Sequence, residues 1–235
     1  MADDADQRSL LRILLALTLL SGLIDAVCYL GLGRVFTANM TGNVVVLGFA
    51  AAGAPGFSVA GSLISLAVFL IGAVAGGRIR RLERMHTRLL GIAIWCEAVF
   101  VGVAALVAFL AGTAADSGAR FAVIAILAFA MGIRNAVVRG LGVPDMTTTV
   151  LTQTLTGLAA DSRVAGGDDT RAGRRIGSVV AMFIGAVGGA ALILHKGPAL
   201  PLAISAGLAA ITGVVLRFSR ARRFLAASAR GSAKT

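Results

Sequence analysis

Two clusters of neutral polar residues interrupt an otherwise apolar chain. Thr37, Asn39, Thr41 and Asn43 form the first; Thr147, Thr148, Thr149, Thr152, Gln153, Thr154 and Thr156 form the second. Hydroxyls and carboxamides supply uncharged donors and acceptors. That chemistry suits holding a polar solute or a partly dehydrated ion better than breaking a bond. A single threonine in a helix has a simpler use, because its hydroxyl bonds back to a carbonyl one turn away. Eleven polar residues on two segments are harder to assign to that use alone.

Four ionisable side chains also lie within long apolar runs: Asp25, Glu97, Arg134 and, near a run's end, Arg139. Charges at membrane depth are costly and usually paired or functional. Asp25 could couple transport to protons or a cation, or could accept local hydrogen bonds, with Arg34 the one cation within reach. Glu97 and Arg134 fall at matching depths of their runs and make a candidate structural ion pair. No nucleophile elbow, H-E-x-x-H or phosphate loop occurs. The sequence therefore points away from an enzyme, offers no metal site and implies no cofactor. His86 and His195 fall in loops on opposite sides, and Cys28 and Cys96 lie inside apolar runs without metal-ligand spacing.

The elements that must position these residues are membrane spans. Only 14% of the 235 residues are charged and 57% are hydrophobic, with a mean hydropathy of +0.89; soluble domains carry about 25% charged residues. Six runs, 10–32, 58–79, 89–111, 120–141, 176–194 and 199–217, have the length of about 20 residues that a bilayer core requires. Two segments, 36–52 and 146–160, are too polar or too short to read as ordinary spans. They are read as re-entrant or broken helices. The first run is longer than a signal-peptide core and lacks its cleavage site, so it is read as a retained helix.

The net charge of +11 is distributed between the spans rather than on an amphipathic face, which argues for positive loops and against nucleic acid. If the two short segments do not cross, 17 basic residues fall on the side of the N-terminus. These include five arginines between 78 and 88, four between 163 and 175, and six Lys/Arg from Arg217 onward. Arg34, Arg120 and Lys196 fall on the other side. The positive-inside rule then gives six spans with both termini cytoplasmic. The expected location is the bacterial inner (cytoplasmic) membrane, with the lipid bilayer as partner.

The chain also repeats itself. Gly22-Leu-Ile-Asp-Ala-Val recurs as Gly132-Ile-Arg-Asn-Ala-Val, which sets Asp25 against Asn135. Leu30-Gly31 matches Leu141-Gly142, Thr41-Gly42-Asn43 aligns with Thr152-Gln153-Thr154, and Ile71–Gly76 matches Ile184–Gly189. Residues 1–112 and 113–217 read as two repeats, and 218–235 as a basic tail. Each repeat holds three spans, an odd number, so the second enters from the opposite side. The expected fold is an all-α integral membrane protein of six spanning helices and two short re-entrant or broken segments, arranged as two inverted three-span repeats.

The blocks Gly22–Gly48 (GLIDAVCYLGLGRVFTANMTGNVVVLG) and Gly132–Asp161 (GIRNAVVRGLGVPDMTTTVLTQTLTGLAAD) resemble the YoaK family of bacterial membrane proteins. The resemblance covers most of residues 10–217. It implies six spans and supplies neither substrate nor site residues. Gln153 stands where that family's threonine-rich block has a small residue, often glycine.

Inverted repeats with interrupted segments recur in transporters and channels, where they bring helix ends together near the midplane. The leading expectation is a transporter or channel for a small polar solute or ion. Its pathway candidates are Asp25, Thr37, Asn39, Thr41, Asn43, Asn135, Thr148, Thr149, Thr152, Gln153 and Thr154. The alternative is a non-transporting scaffold or assembly protein that packs against itself, as a homo-oligomer, or against a partner through Gly72/Gly76 and Gly185/Gly189. An enzyme acting on a lipid ranks third.

Overall fold

The structure, a computed structural model, describes residues 2–83, 85–115, 117–141, 151–168 and 170–232, with side chains from Leu10 to Phe218 within those ranges. Eight α-helices make up the described residues: α1 (Ala2–Gly31), α2 (Met40–Ala51), α3 (Val59–Leu82), α4 (His86–Ala111), α5 (Gly118–Gly140), α6 (Leu151–Ala160), α7 (Ala172–Lys196) and α8 (Ala199–Ser232). A 3₁₀ turn, Arg163–Ala165, precedes α7, and no strand occurs among the described residues. Six helices are long and apolar enough to cross a membrane: α1 over Leu10–Gly31, α3, α4, α5, α7, and α8 over Ala199–Phe218. These are the six runs expected from hydropathy. One difference concerns the tail, where α8 continues unbroken past residue 217 to Ser232.

Helix starts follow local chemistry. Ser58 and Ser117 cap α3 and α5, accepting from the backbone N–H groups of Gly61 (3.1 Å) and Arg120 (3.2 Å). At the far end of α1, Gly33 and Arg34 turn the chain back with φ of 92° and 58°. Gly33 is required there twice over, because the Arg120 guanidinium occupies the space a Cβ would fill. Arg120 Nε donates to the Leu32 carbonyl at 2.9 Å, placing a cation on the negative end of α1.

Packing joins the two halves crosswise: α1 lies against α7, α3 against α5, and α4 against α8. The contacts match residue for residue. Gly185 and Gly189 of α7 sit on the backbone of Leu19 and Leu23 in α1, while Gly72 and Gly76 of α3 sit on Phe129 and Ile133 in α5. Reciprocally, Gly22 faces Met182, and Gly132 faces Phe69. In lipid no hydrophobic force pulls helices together, so close approach at small residues supplies the dispersion energy instead. These glycine faces are occupied inside the chain. Gly72, Gly76, Gly185 and Gly189, the glycines named for the scaffold alternative, therefore face neighbouring helices of the same chain.

Helix directions follow from the same contacts. Arg134 reaches Leu17 and Ser21 whereas Arg120 reaches Leu32, so α5 runs antiparallel to α1. Gly91 meets Leu216 and Gly102 meets Ala206, so α8 runs antiparallel to α4. The α1–α7 and α3–α5 pairs are parallel. One end of the bundle therefore carries the C-termini of α3 and α5 with the start of α7, and is rich in arginine. The opposite end carries the C-termini of α1, α4 and α7.

Candidate functional site

The first polar segment is built around a strand of backbone that re-enters the bundle. After the turn at Gly33–Arg34, the Thr37 and Ala38 N–H groups reach Asp25 Oδ1 at 3.2 and 3.1 Å. Asp25 precedes the end of α1 by six residues, about 9 Å along the axis, so the chain has come back that far. Backbone at such depth must be satisfied by protein. Asn43 supplies a second anchor, accepting from the Phe36 N–H at 2.8 Å and donating to the Phe36 carbonyl at 2.6 Å. Ser65 of α3 donates to the same carbonyl at 2.6 Å and accepts from Asn43 Nδ2 at 3.2 Å. Asn135 Nδ2 reaches the Ala38 carbonyl at 3.5 Å.

From this buried tip α2 runs back toward the end it came from. Its 12 residues span about 18 Å, well short of a roughly 30 Å core. The link to α3 lies beside the α1 terminus, where the Ser58 N–H bonds the Gly33 carbonyl. The segment is therefore re-entrant and α2 does not cross. At the arginine-rich end α6 is tied to α7 by Arg175, which donates to the Gly157 carbonyl and to Asp161 Oδ2 (2.7 Å).

Between these short helices lies a cavity of about 870 Å³ lined by Asn39, Thr41, Asn135 and Gln153, and reaching Arg80 and Arg139. A smaller cavity of about 370 Å³ is lined by Tyr29, Phe36, Phe57 and Thr152 among others, and so reaches toward the C-terminal end of α1. Asn39 and Thr41 are the residues that line both.

The polar candidates divide accordingly. Asn39, Thr41, Asn135 and Gln153 face the larger cavity, and Thr152 the smaller. Thr37 and Asn43 do not face either: both are fully buried, with Thr37 Oγ1 3.4 Å from Cys28 Sγ and Asn43 spent on Phe36. Thr154 is also buried. Asp25 lies behind the tip at 5% exposure, with Oδ2 free of hydrogen bonds. Arg34 stacks on Phe57 (5.2 Å to the ring centroid) rather than approaching Asp25. Thr147, Thr148 and Thr149 lie outside the described residues.

Glu97 and Arg134 sit away from the cavity as a buried pair, Nη1 to Oε1 at 2.7 Å, both at 0% exposure. Arg134 also donates to Ser21 Oγ (2.6 Å) and the Leu17 carbonyl (3.4 Å), joining α1, α4 and α5. No cluster of three metal-ligating side chains occurs among the described residues.

Comparison with known proteins agrees with the architecture. Residues 13–215 match the family described as "Protein of unknown function (DUF1275)". The chain belongs to the DUF1275 family. It is also 34% identical over 165 residues to the UPF0700 transmembrane protein YoaK of Bacillus subtilis (strain 168), covering 67% of this chain and 68% of that one. No solved structure matches. This DUF1275 chain is thus a multi-pass membrane protein of the YoaK type, as its two motif blocks suggested.

Two contributors to the site, Ser65 and Arg80, escaped the sequence reading of this DUF1275 chain, and Arg139 was marked there only as an ionisable residue near a run's end. Ser65 had a signal: extending the Ile71/Ile184 alignment back by six residues pairs it with Ser178, also buried. Arg80 carried only a topological meaning in sequence, because nothing local says which way an arginine at a helix end will turn.

Proposed function

We propose that this protein transports a small polar solute across the bacterial inner membrane, along a pathway between its two re-entrant segments. The observation that carries the reading is that Asn39 and Thr41 line two cavities, one reaching Arg80 and Arg139 at the arginine-rich end and the other reaching Tyr29 and Phe57 toward the opposite end. A wall of neutral donors and acceptors with space on both sides is the arrangement alternating access requires. The crosswise, residue-matched packing of α1–α7 on α3–α5 supports an inverted duplication. The units that rock about the shared wall are then the crosswise pairs α1–α7 and α3–α5, each held together by its own glycine contacts. The charge distribution supports cytoplasmic termini and a cavity that opens to the cytoplasm in this state.

The test is an unbiased comparison of metabolites in deletion and overexpression strains, followed by uptake or efflux of the responding compound in proteoliposomes. Asn39→Ala and Thr41→Ala should each reduce that flux by about five- to twelvefold without reducing protein level, on the scale of one lost hydrogen bond to substrate, about 1–1.5 kcal/mol. Unchanged metabolite profiles in both strains, or flux indifferent to both substitutions, would refute the pathway.

A further inference from the structure

The geometry points to an anionic solute: we infer that the larger cavity binds a carboxylate- or phosphate-bearing molecule through Arg80 and Arg139. This rests on the transport reading and adds the substrate's charge. The cavity runs from the polar tip at Ala38, Asn39 and Asn135 toward the C-terminal ends of α3 and α5, where both arginines line it. Arginines at that end are expected from topology alone, pointing outward to lipid phosphates. Arg80 and Arg139 are both exposed, yet Arg80 does not extend away from the bundle. Its side chain crosses onto α5 and lies over Gly140, beside Arg139, in the space a Cβ there would occupy. Two guanidinium groups from adjacent helices thus share one mouth.

Charge across the rest of the lining agrees. Among the described residues no carboxylate lines the cavity, and the remaining polar groups are Asn39, Thr41, Asn135 and Gln153. The first turn of α2 forms part of the wall, and Asn39 at its N-cap makes no side-chain capping bond. The positive end of a 12-residue helix therefore adds to the guanidinium field from the other side. Guanidinium groups match carboxylate and phosphate in geometry. The amide and hydroxyl groups deeper in the cavity suit the uncharged polar part of such a molecule. A phospholipid headgroup entering sideways shares this chemistry, so the test must separate the two sources.

The test uses the full chain with Cys28→Ser, Cys96→Ser and Asn39→Cys, in phosphatidylcholine nanodiscs open to solvent on both faces. If replacing the buried Cys28 prevents accumulation, Cys28 is retained. Modification rates are measured with an anionic sulfonatoethyl and a cationic trimethylammonioethyl methanethiosulfonate, each relative to its rate with a free thiol. The anionic reagent should be favoured about tenfold, the lower bound for a cleft of one charge sign. Sodium citrate at constant ionic strength should slow it saturably, and Arg80→Gln with Arg139→Gln should abolish both effects. Reaction of both reagents in the free-thiol ratio would overturn the anion inference and leave the pathway standing. A preference that survives the double substitution would do the same. Citrate without effect, with protection appearing only in discs containing phosphatidylglycerol, would assign the site to a lipid headgroup and overturn a soluble substrate. Reaction with neither reagent would refute the pathway itself.

Discussion

Asp25 Oδ1 accepts the backbone N–H of Ala38 at 3.1 Å, joining residues 13 apart across the turn at the end of α1. The same oxygen takes the Thr37 N–H, and the carboxylate thereby holds the re-entrant tip that fronts the cavity. Its repeat counterpart, Asn135, reaches the Ala38 carbonyl from the other half.

This arrangement separates two roles for Asp25. Asp25→Asn keeps an acceptor for both N–H groups, so the protein should accumulate normally. Asp25→Ala strands two buried donors and should lower stability by about 1–3 kcal/mol for each, read as a drop in unfolding temperature in detergent. If ionisation of Asp25 couples the flux to protons or a cation, Asp25→Asn alone removes that dependence. Unchanged ion dependence in Asp25→Asn would leave Asp25 as a clasp only.

Asn43 and Asn39, four residues apart, should behave oppositely. Asn43→Ala removes the partner of the Phe36 N–H and one donor to its carbonyl, and should cost about 1–3 kcal/mol of stability. Asn39 lines both cavities. Asn39→Ala should leave the unfolding temperature nearly unchanged while reducing flux. Thermal unfolding and transport assays on the same preparations decide between these patterns.

Removing one member of the Glu97–Arg134 pair leaves a fully buried charge without its partner. Glu97→Ala should therefore destabilise by about 3–5 kcal/mol, whereas Glu97→Leu with Arg134→Met should recover most of that loss. A double variant no more stable than Glu97→Ala would show that the bonds from Arg134 to Ser21 and Leu17 carry the site instead.

The glycine contacts can be tested against an internal control. A side chain at Gly72 would strike the Phe129 backbone, which cannot move without shifting α5. A Cβ at Gly188 meets nothing within 4 Å. Gly72→Leu should abolish folded protein in size-exclusion profiles, overpacking of even a few methylenes costing about 1–3 kcal/mol. Gly188→Leu should elute as the parent protein does.

Orientation in the membrane is open to a direct measurement. In a background lacking Cys28 and Cys96, Glu83→Cys should resist an impermeant thiol reagent applied to intact cells, while Ala52→Cys at the opposite end reacts. Glu83 makes a 3.8 Å pair with the exposed Arg88 and accepts the Met85 N–H at 2.9 Å in an exposed linker, so its loss should cost little. Rapid labelling at position 83 would reverse the proposed orientation.

Hydropathy alone determined the six long helices, because spanning length and apolar composition are properties of single segments. The shortness of the apolar part of 36–52 likewise marked a helix that could not cross. The internal matches Gly22/Gly132 and Gly72/Gly185 identified equivalent positions before any contact was known. What they could not give was the partner: glycine permits close approach but does not say to which helix. Only the packed bundle decided that these faces meet neighbouring helices within one chain. The polar segments show the same division. Composition marked Thr37, Asn39, Thr41 and Asn43 alike, since all four offer similar donors and acceptors. The chain's return past Asp25 then turned Thr37 inward against Cys28 and Asn43 onto the buried Phe36 backbone, and left Asn39 and Thr41 facing space. The direction of Arg80 was likewise decided at Gly140, where a missing side chain on α5 left room for an arginine from α3.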